Sequence, residues 1–401
     1  MSRELARRIA FTIGALLLFR LGTQIPIAGI VVHPAFAADR IAPLSIFSLS
    51  LIPYLTAAIL VQLVAVVWRR VRALERSGEA GRRKLARITL ILALLLAAFQ
   101  AFGIASAMRQ LPRLVVNPGD WFVVSATASL VGGVLVLIWL SEQITRRGIG
   151  NGLALILSVS IVASLPSEVE TFLTQLRRGA ISSNVLVGNA ILLILIVALI
   201  VFVERARRNV PVQFAARFVG DRSLLSRSTV LPIRINSAGY LLPVTVAPWA
   251  ISLPVAFAGS IFGADDGSWV EAISAHLQFG EKTHIVLGSI AVFALAFVYT
   301  AFVIDPDHAA ESLARQGGVI PGVTPGEATA SYLDRVVSLT TVIGASYLTA
   351  LSLIPEVFLA YGNALVYKMG GGAALIVVCT ILDLQTQVRE VSLTNPGGVR
   401  R

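Results

Sequence analysis

Few residues of this 401-residue chain combine the side-chain chemistry and the spacing that a reaction centre needs. The four histidines, His33, His276, His284 and His308, are scattered and do not cluster with Cys379 at a spacing typical of metal ligands. Cys379 is the single cysteine, so it cannot form a disulfide within the chain. We therefore expect neither a metal centre nor a cofactor.

Two glycine-rich stretches are the remaining candidates for nucleotide chemistry. Gly78 to Lys84 reads GEAGRRK, which has the wrong spacing for a phosphate-binding loop and lacks a hydroxyl residue after the lysine. Gly148 to Gly152 reads GIGNG, but it joins two apolar stretches and does not follow a strand, so a dinucleotide site is not indicated. No Gly-x-Ser-x-Gly elbow and no His-Glu-x-x-His pair occurs. The chain is not expected to be an enzyme.

The elements that position these residues are predicted membrane spans. The chain is 56% hydrophobic and only 14% charged, with a mean hydropathy of +0.81, which excludes a soluble domain. A helix needs about 20 mostly apolar residues to cross the hydrocarbon core. Eight uncharged gaps are long enough, at 41–68, 88–108, 121–141, 148–167, 179–203, 235–264, 283–304 and 336–355. Two weaker stretches, 9–32 with Arg20 inside it and 369–382, complete ten predicted spans.

The distribution of basic residues predicts the direction of these spans. With both termini in the cytoplasm, 25 of the 33 Lys and Arg residues face that side, as the positive-inside rule requires. A competing interpretation is a cleavable signal peptide, because three arginines precede an apolar run and Ala35-Phe36-Ala37 imitates a cleavage site. Arg20 and the long stretch beyond it disfavour that alternative, and its removal would leave an odd number of spans.

Three predicted cytoplasmic loops carry most of the polar sequence. The 69–87 loop has eight basic residues, which either dock an anionic partner such as ribosomal RNA or only fix topology and contact anionic lipid. The longer 204–238 segment is punctuated by prolines and indicates a protruding structured loop or a hairpin. The 305–335 excursion contains three turn signals, Gly317-Gly318, Pro321-Gly322 and Pro325-Gly326.

Prolines within two spans indicate irregular helices. Proline removes a backbone donor, which is tolerated at membrane depth beside neighbouring helices or a wet cavity. The spans 41–68 and 235–264 are therefore either candidates for lining a passage or ordinary kinked helices. The prolines concerned are Pro53, Pro243, Pro248 and Pro254, and polar residues that favour a cavity are Thr56, Gln62, Asn151 and Thr245. No carboxylate or lysine lies deep in a clean span, which argues against an ion-coupled carrier.

Several unusual stretches resemble the SecY family, the central subunit of the bacterial protein-conducting channel. They occur in family order along essentially the whole chain. They are Arg20 to Pro26 (RLGTQIP), Ser45-Ile46-Phe47 with Pro53-Tyr54, Gly78 to Lys84, Glu142 to Gly152 (EQITRRGIGNG), Val203-Glu204-Arg205 with Pro211-Val212-Gln213, and Pro325-Gly326-Glu327. The resemblance implies an all-α polytopic protein with ten transmembrane helices. Two inverted five-helix halves, 1–178 and 179–401, would form a clamshell around a central hourglass pore.

The resemblance also implies a ring of aliphatic side chains at the waist of that pore. Bulky apolar groups dewet a constriction and deform around a chain without binding it. The ring falls on Leu51, Leu55, Leu153, Leu157, Val244 and Val377, with Thr245 as a rival to Val244. Apolar segments would leave sideways between the second and seventh helices, past Pro53, Thr56, Gln62 and Pro248.

The implied partners are SecE-like and SecG-like small membrane subunits, secretory precursor polypeptides and the lipid bilayer of the cytoplasmic (inner) membrane. A SecA-like ATPase or a ribosome would drive transport from the cytoplasmic side. Residues implied in docking this driver are Arg82, Arg83, Lys84, Arg205, Arg208, Arg217, Arg222 and Thr324.

Three departures from the family pattern qualify this picture. Only residues 31–44 are available for the outer plug segment, which is too short to favour a full plug helix. Thr324 occupies the position where the family carries an arginine, and Asp221-Arg222 replaces an arginine pair. Two alternatives remain open, an accessory paralogue that couples poorly to the motor, and a small-solute carrier.

Overall fold

The computed structural model describes residues 3–30, 44–110, 114–179, 183–214, 218–219, 222–223, 227–241, 243–247, 269–278, 280–360 and 371–394. They form two compact units. The first contains the described residues up to Thr171 together with those from Ile376 onward, and the second contains those from Phe172 to Leu375. The final helix therefore contributes its larger part to the first unit.

Helices make up most of both units, in the following chain order. The first part contains α1 (Arg3–Gly22), α2 (Ile52–Val67), α3 (Arg69–Arg76), α4 (Glu79–Gln110), α5 (Asp120–Arg147), α6 (Gly152–Arg177) and α7 (Ser183–Arg205). Four strands follow, β1 (Arg207–Phe214), β2 (Phe218–Val219), β3 (Arg222–Ser223) and β4 (Arg227–Arg234). The remainder contains α8 (Trp269–His276), α9 (Lys282–Val303), α10 (Pro306–Arg315), β5 (Gly318–Val319), α11 (Glu327–Ala360) and α12 (Gly371–Thr394).

Seven described helices are long and apolar enough to cross a membrane. They are α4, α5, α6, α7, α9, α11 and α12, and α2 is a shorter apolar helix. Several extend beyond the uncharged gaps from which they were predicted. The helix predicted from 88–108, for example, runs from Glu79 to Gln110. Charged side chains on such terminal turns reach the interface while the backbone continues as helix, so charges mark the apolar core and not the helix ends.

Two predicted spans are shorter as helices than the apolar sequence suggested. The first helix ends at Gly22 and does not continue to residue 32, because the chain turns to extended backbone before Pro26. The 41–68 prediction is also wrong in its first part, since residues 45–51 form a bridge and turns. Pro53 consequently lies in the first turn of α2, where its missing N–H needs no partner, and not inside a kinked helix.

The seventh predicted span, 235–264, is described only in part. Residues 241 and 243–247 are helical, and Pro243 is buried at the start of this turn. Pro248 and Pro254 lie outside the described residues.

Small residues allow α4 and α5 of the first unit to pack closely. Ala97, Ala101 and Ala105 repeat every four residues on one face of α4 and are fully buried. They share a core with Ala126 and Leu130 of α5. Small side chains let two backbones approach, and the van der Waals packing that results is one of the forces that drive helix association in lipid.

In the second unit, two of the predicted loops fold together as a subdomain. The hairpin predicted for 204–238 is confirmed, because β1 pairs with β4 from Arg207 opposite Arg234 to Phe214 opposite Arg227. The 305–335 excursion adds β5 to the other side of β1, giving the sheet order β4-β1-β5. Alternate residues of β1 point to one core, which contains Val210, Val212, Ala310, Ile320, Ala330 and Leu333.

Candidate functional site

The segment that leads into α2 is anchored by three contacts. Ser45 forms a bridge with Pro26, and Ile46 N–H donates to the carbonyl of Ile25 (3.1 Å). The Phe47 ring stacks on Phe19 of α1 with a centroid distance of 6.0 Å. These contacts determine where α2 begins and therefore where its first leucines lie.

Leu51 and Leu55, two residues of the predicted ring, lie one turn apart at this start. Leu51 is the N-cap of α2, and its carbonyl accepts the N–H of Leu55 at 3.0 Å. Both side chains are buried, with exposures of 0% and 1%. Ser50, immediately before them, has φ of 53° and a buried hydroxyl without a partner among the described residues. Leu51 therefore follows a locally strained turn.

The polar residues predicted along α2 differ in their burial. Thr56 is buried, and its hydroxyl donates to the Ile52 carbonyl at 2.9 Å within the same helix. Gln62 is half-buried two turns later. The hydroxyl of Thr56 is thus satisfied without water or a neighbouring helix.

The GIGNG stretch positions Leu153 and Leu157 at the start of α6. Ile149 N–H donates to the Thr12 hydroxyl (2.9 Å), and Gly150 N–H donates to Gln387 Oε1 (2.8 Å). Gly152 leaves no room for a side chain, because a Cβ there would lie 2.0 Å from the Ser141 carbonyl oxygen. The stretch is a tight connection between α5 and α6 held by α1 and α12.

Leu51 and Leu153 belong to one packed cluster. It contains Leu51, Leu137, Leu140, Ile144, Leu155 and Ile156, with the half-buried Leu153 against it. Leu157 lies one turn beyond Leu153 and is 7% exposed. The structure thus places the start of α2 and the start of α6 in one aliphatic cluster.

A hydrogen bond between α6 and α12 lies close in sequence to two ring positions, Leu157 and Val377. The Ser158 hydroxyl donates to Thr380 Oγ1 at 2.8 Å, and both residues are buried. Ser158 follows Leu157, and Thr380 lies three residues after the half-buried Val377. In an apolar environment, such a bond resists sliding of one helix along the other.

Val244 lies in the second unit, half-buried in the helical turn 243–247. Its Cγ1 is 2.8 Å from the position that a Cβ on Gly372 would take, so it packs on the backbone of the first turn of α12. The rival residue, Thr245, bonds its hydroxyl to the Leu241 carbonyl. Val244 is thus the residue of the two that makes an apolar contact with another helix.

The predicted docking residues lie on two exposed surfaces. The first surface is the start of α4, where Arg82, Arg83 and Lys84 are exposed and Arg83 pairs with Glu79 at 3.3 Å. This helix starts close to α3, since a Cβ on Gly81 would lie 1.7 Å from the Leu74 carbonyl oxygen.

The second docking surface is the subdomain built from β1, β4, β5, α10 and the start of α11. Arg205 and Arg208 are exposed at the base of the hairpin, and Thr324 is exposed in the turn before α11. The Thr324 carbonyl accepts the Thr329 hydroxyl at 2.9 Å, which closes this turn. Arg217 lies outside the described residues, and Arg222 is described only as part of β3.

One buried polar pair in the structure was not predicted from the sequence. His284 Nδ1 of α9 lies 3.1 Å from Glu356 Oε2 of α11, and both side chains are buried. Glu356 directly follows the uncharged gap 336–355, and His284 lies at the start of the gap 283–304. The sequence therefore places each residue at the end of a predicted span. Only the structure pairs them. In the described part of the chain no three His, Cys, Asp or Glu residues form a group that could hold a metal ion.

Comparisons with known proteins agree over nearly the full chain. A family model described as SecY matches residues 45–385. The protein translocase subunit SecY of Escherichia coli (strain K12) is 37% identical over 412 residues, covering 98% of this chain and 93% of that protein.

Solved structures provide the corresponding likeness in fold. A SecY protein whose plug domain stabilises the closed state of the translocation channel superposes with a TM-score of 0.72 at 17% identity, covering 99% of this chain and 95% of that one. Sec61 in the canine ribosome-channel complex gives 0.67 at 18% identity, with the same coverages of 99% and 95%. The predicted fold class, an all-α polytopic membrane protein, is confirmed.

Proposed function

The chain belongs to the SecY family, and from this premise we propose that it is the central subunit of a protein-conducting channel. It passes unfolded secretory polypeptides across the cytoplasmic membrane and releases apolar segments sideways into the lipid. The relatives are named translocase subunits, which favours this function over a small-solute carrier or an accessory paralogue. The chain itself conducts, and another component supplies the energy.

The observation that carries the proposal is the aliphatic cluster shared by the starts of α2 and α6. Leu51 and Leu153 share one cluster, and each is followed one turn later by a buried leucine, Leu55 or Leu157. A constriction of such side chains excludes water and ions yet yields to a passing chain. We assign these four residues, with Val244 and Val377, to the ring.

The sideways exit lies along α2 in this proposal. Pro53, Thr56 and Gln62 line its side of the gate, and Pro248 belongs to the opposing helix. The short, apolar α2 supports this assignment, because its exposed Leu60 and Val64 offer an apolar surface to a departing segment.

The proposed partners act on the cytoplasmic side, where both termini lie. A SecA-like ATPase or a translating ribosome docks on the start of α4 and on the subdomain of β1, β4, β5 and α10, while SecE-like and SecG-like subunits clamp the helices in the membrane. The ribosome-bound Sec61 structure supports a ribosome as partner. Exposed arginines such as Arg82 and Arg208 suit an anionic surface. Thr324 offers no guanidinium, so the motor contact there is weaker than in relatives that carry arginine.

Site-specific photocrosslinking tests the proposal. A photoreactive residue at Leu55 or Leu157 is expected to crosslink to a stalled secretory precursor, and one at the exposed Leu95 of α4 is expected to crosslink to lipid only. Precursor adducts at Leu95 with none at Leu55 and Leu157 would refute the ring assignment. A probe at Gln62 checks the exit, since it should capture precursors with an apolar anchor and not fully secreted ones.

A further inference from the structure

A basic cavity lies between the first turns of α1 and the last turn of α5. Its volume is about 530 Å³, and it is lined by Arg3, Glu4, Arg7, Arg8, Arg146 and Arg147. Five of these six side chains are arginines. All of them belong to the first unit.

Only two of the five arginines are neutralised by a described carboxylate. Arg8 pairs with Glu4 at 2.7 Å, and Arg146 pairs with Glu142. Arg3, Arg7 and Arg147 are exposed and form no ion pair with another described residue. The cavity therefore holds three positive charges that no carboxylate of the described residues compensates by an ion pair.

The placement of these charges is unfavourable for the helix that carries two of them. Arg3 and Arg7 are four residues apart on one face of α1, where like charges repel. They also lie at the helix N-terminus, whose dipole is already positive. A bound anion would reduce both the repulsion between Arg3 and Arg7 and their unfavourable interaction with the helix dipole. Local conflicts of this kind are typical of binding sites.

The walls of the cavity are held at a defined distance. The Thr12 hydroxyl donates to the Arg8 carbonyl (3.0 Å) and accepts the N–H of Ile149 (2.9 Å), just beyond Arg147. A Cβ on Gly148 would lie 2.4 Å from the same hydroxyl oxygen. The middle of α1 thus contacts the residues just after α5 next to the cavity, so the backbone around the cavity needs little further ordering when a ligand binds.

We propose that this cavity binds a phosphate group, and that its source is the headgroup of an anionic phospholipid. Guanidinium forks match phosphate oxygens in charge and geometry. The exposed apolar residues Leu18 and Leu21 lie within about 40° of Arg7 around α1 and roughly 17 Å and 21 Å further along it, at 3.6 residues per turn and 1.5 Å per residue. An acyl chain can follow them while its headgroup occupies the cavity.

Lipid retention by the full-length protein tests the proposal. The variant Arg3→Gln/Arg7→Gln/Arg147→Gln is compared with a control of equal charge change, Arg177→Gln/Arg178→Gln/Lys282→Gln, whose side chains are also exposed and belong to neither docking surface. Each protein is placed in nanodiscs of phosphatidylglycerol and phosphatidylcholine, and retained lipid is measured by native mass spectrometry. The cavity variant should bind phosphatidylglycerol on the order of 100-fold more weakly, and the control should match the unmodified chain.

Two outcomes would overturn the lipid assignment. Equal losses in both variants would show that only overall charge attracts the lipid. Displacement of the lipid by millimolar inorganic phosphate, or equal binding of phosphate in phosphatidylcholine discs, would identify a soluble anion as the ligand instead.

A measurement on the unmodified chain keeps the test independent of folding in the variants. Phenylglyoxal labels accessible arginines, and labelling is read by peptide mass spectrometry. Phosphatidylglycerol bilayers should protect Arg3, Arg7 and Arg147 at least several-fold relative to phosphatidylcholine, with the exposed Arg178 unchanged. Uniform protection of all four arginines would contradict a specific cavity.

Discussion

Two adjacent glycines of α5 provide a sharp test of how this structure positions Leu51. A Cβ on Gly133 would lie 1.9 Å from the carbonyl oxygen of Ile46, in the segment that precedes α2. A Cβ on Gly132 would meet nothing within 4 Å. The substitutions Gly133→Ala and Gly132→Ala add the same methyl group to the same helix, so they differ only in where it points.

The expected magnitudes follow from these distances. In Gly133→Ala the backbone at Ile46 has to move by about 1.1 Å before the contact reaches 3.0 Å, the shortest that real Cβ atoms show. Overpacking of this kind costs about 1–3 kcal/mol, offset by up to about 1 kcal/mol of helix propensity. We expect a net loss of about 1–2 kcal/mol. For Gly132→Ala, the free energy of unfolding should be unchanged or higher by up to about 1 kcal/mol.

Two assays read out the consequences. Unfolding in detergent micelles measures the free energies, and planar-bilayer recordings measure ion leakage at rest. Because Ile46 lies five residues before Leu51, only Gly133→Ala should both destabilise the protein and raise leakage. If the two variants are equally stable, or if Gly132→Ala is the less stable, the close approach of α5 to the 45–51 segment is wrong.

Further predictions concern buried polar pairs and the outer segment. His284→Ala should lower the free energy of unfolding by about 3 kcal/mol, because Glu356 is left buried without this partner. The double variant His284→Phe/Glu356→Leu should recover most of that loss. If the losses from changing the two residues simply add, the pairing is contradicted. A double-mutant cycle on Ser158→Ala and Thr380→Val should give a coupling of about 0.6 kcal/mol, and zero coupling would argue against the α6–α12 hydrogen bond. The short 31–44 segment predicts more resting leakage than in a channel with a full plug helix, and bilayer recordings of a tightly closed state would contradict this.

The sequence predicted the spans well where long apolar stretches are bounded on both sides by charged residues. Helices α4, α5, α7 and α9 each contain an uncharged gap of adequate length. The failures came where apolar residues are not helical. Leu44 to Leu51 are as apolar as a span, but their backbone bonds to the 25–27 segment, a non-local contact that no local pattern reveals.

The candidate site shows the same limit. The one-turn spacing of Leu51 and Leu55 was readable from the sequence, and so was a hairpin near Pro211. The pairing of His284 with Glu356 joins residues 72 positions apart, and each alone looked like an ordinary interfacial residue. The cavity lined by arginines could not be predicted from the sequence either, because its two walls are separated by more than 130 residues of chain.

The continuity of α11 has a mechanical consequence. Its first turns are embedded in the core of the β1–β4–β5 subdomain through Ala330 and Leu333, and its carbonyl at Leu351 lies 2.4 Å from where a Cβ on Gly371 would be. The helix therefore acts as a lever of about 36 Å between Glu327 and Leu351, at 1.5 Å per residue. A torque on the subdomain is transmitted along this single helix to Gly371, the first residue of α12, which carries Val377. The structure describes no break in α11 between Glu327 and Leu351.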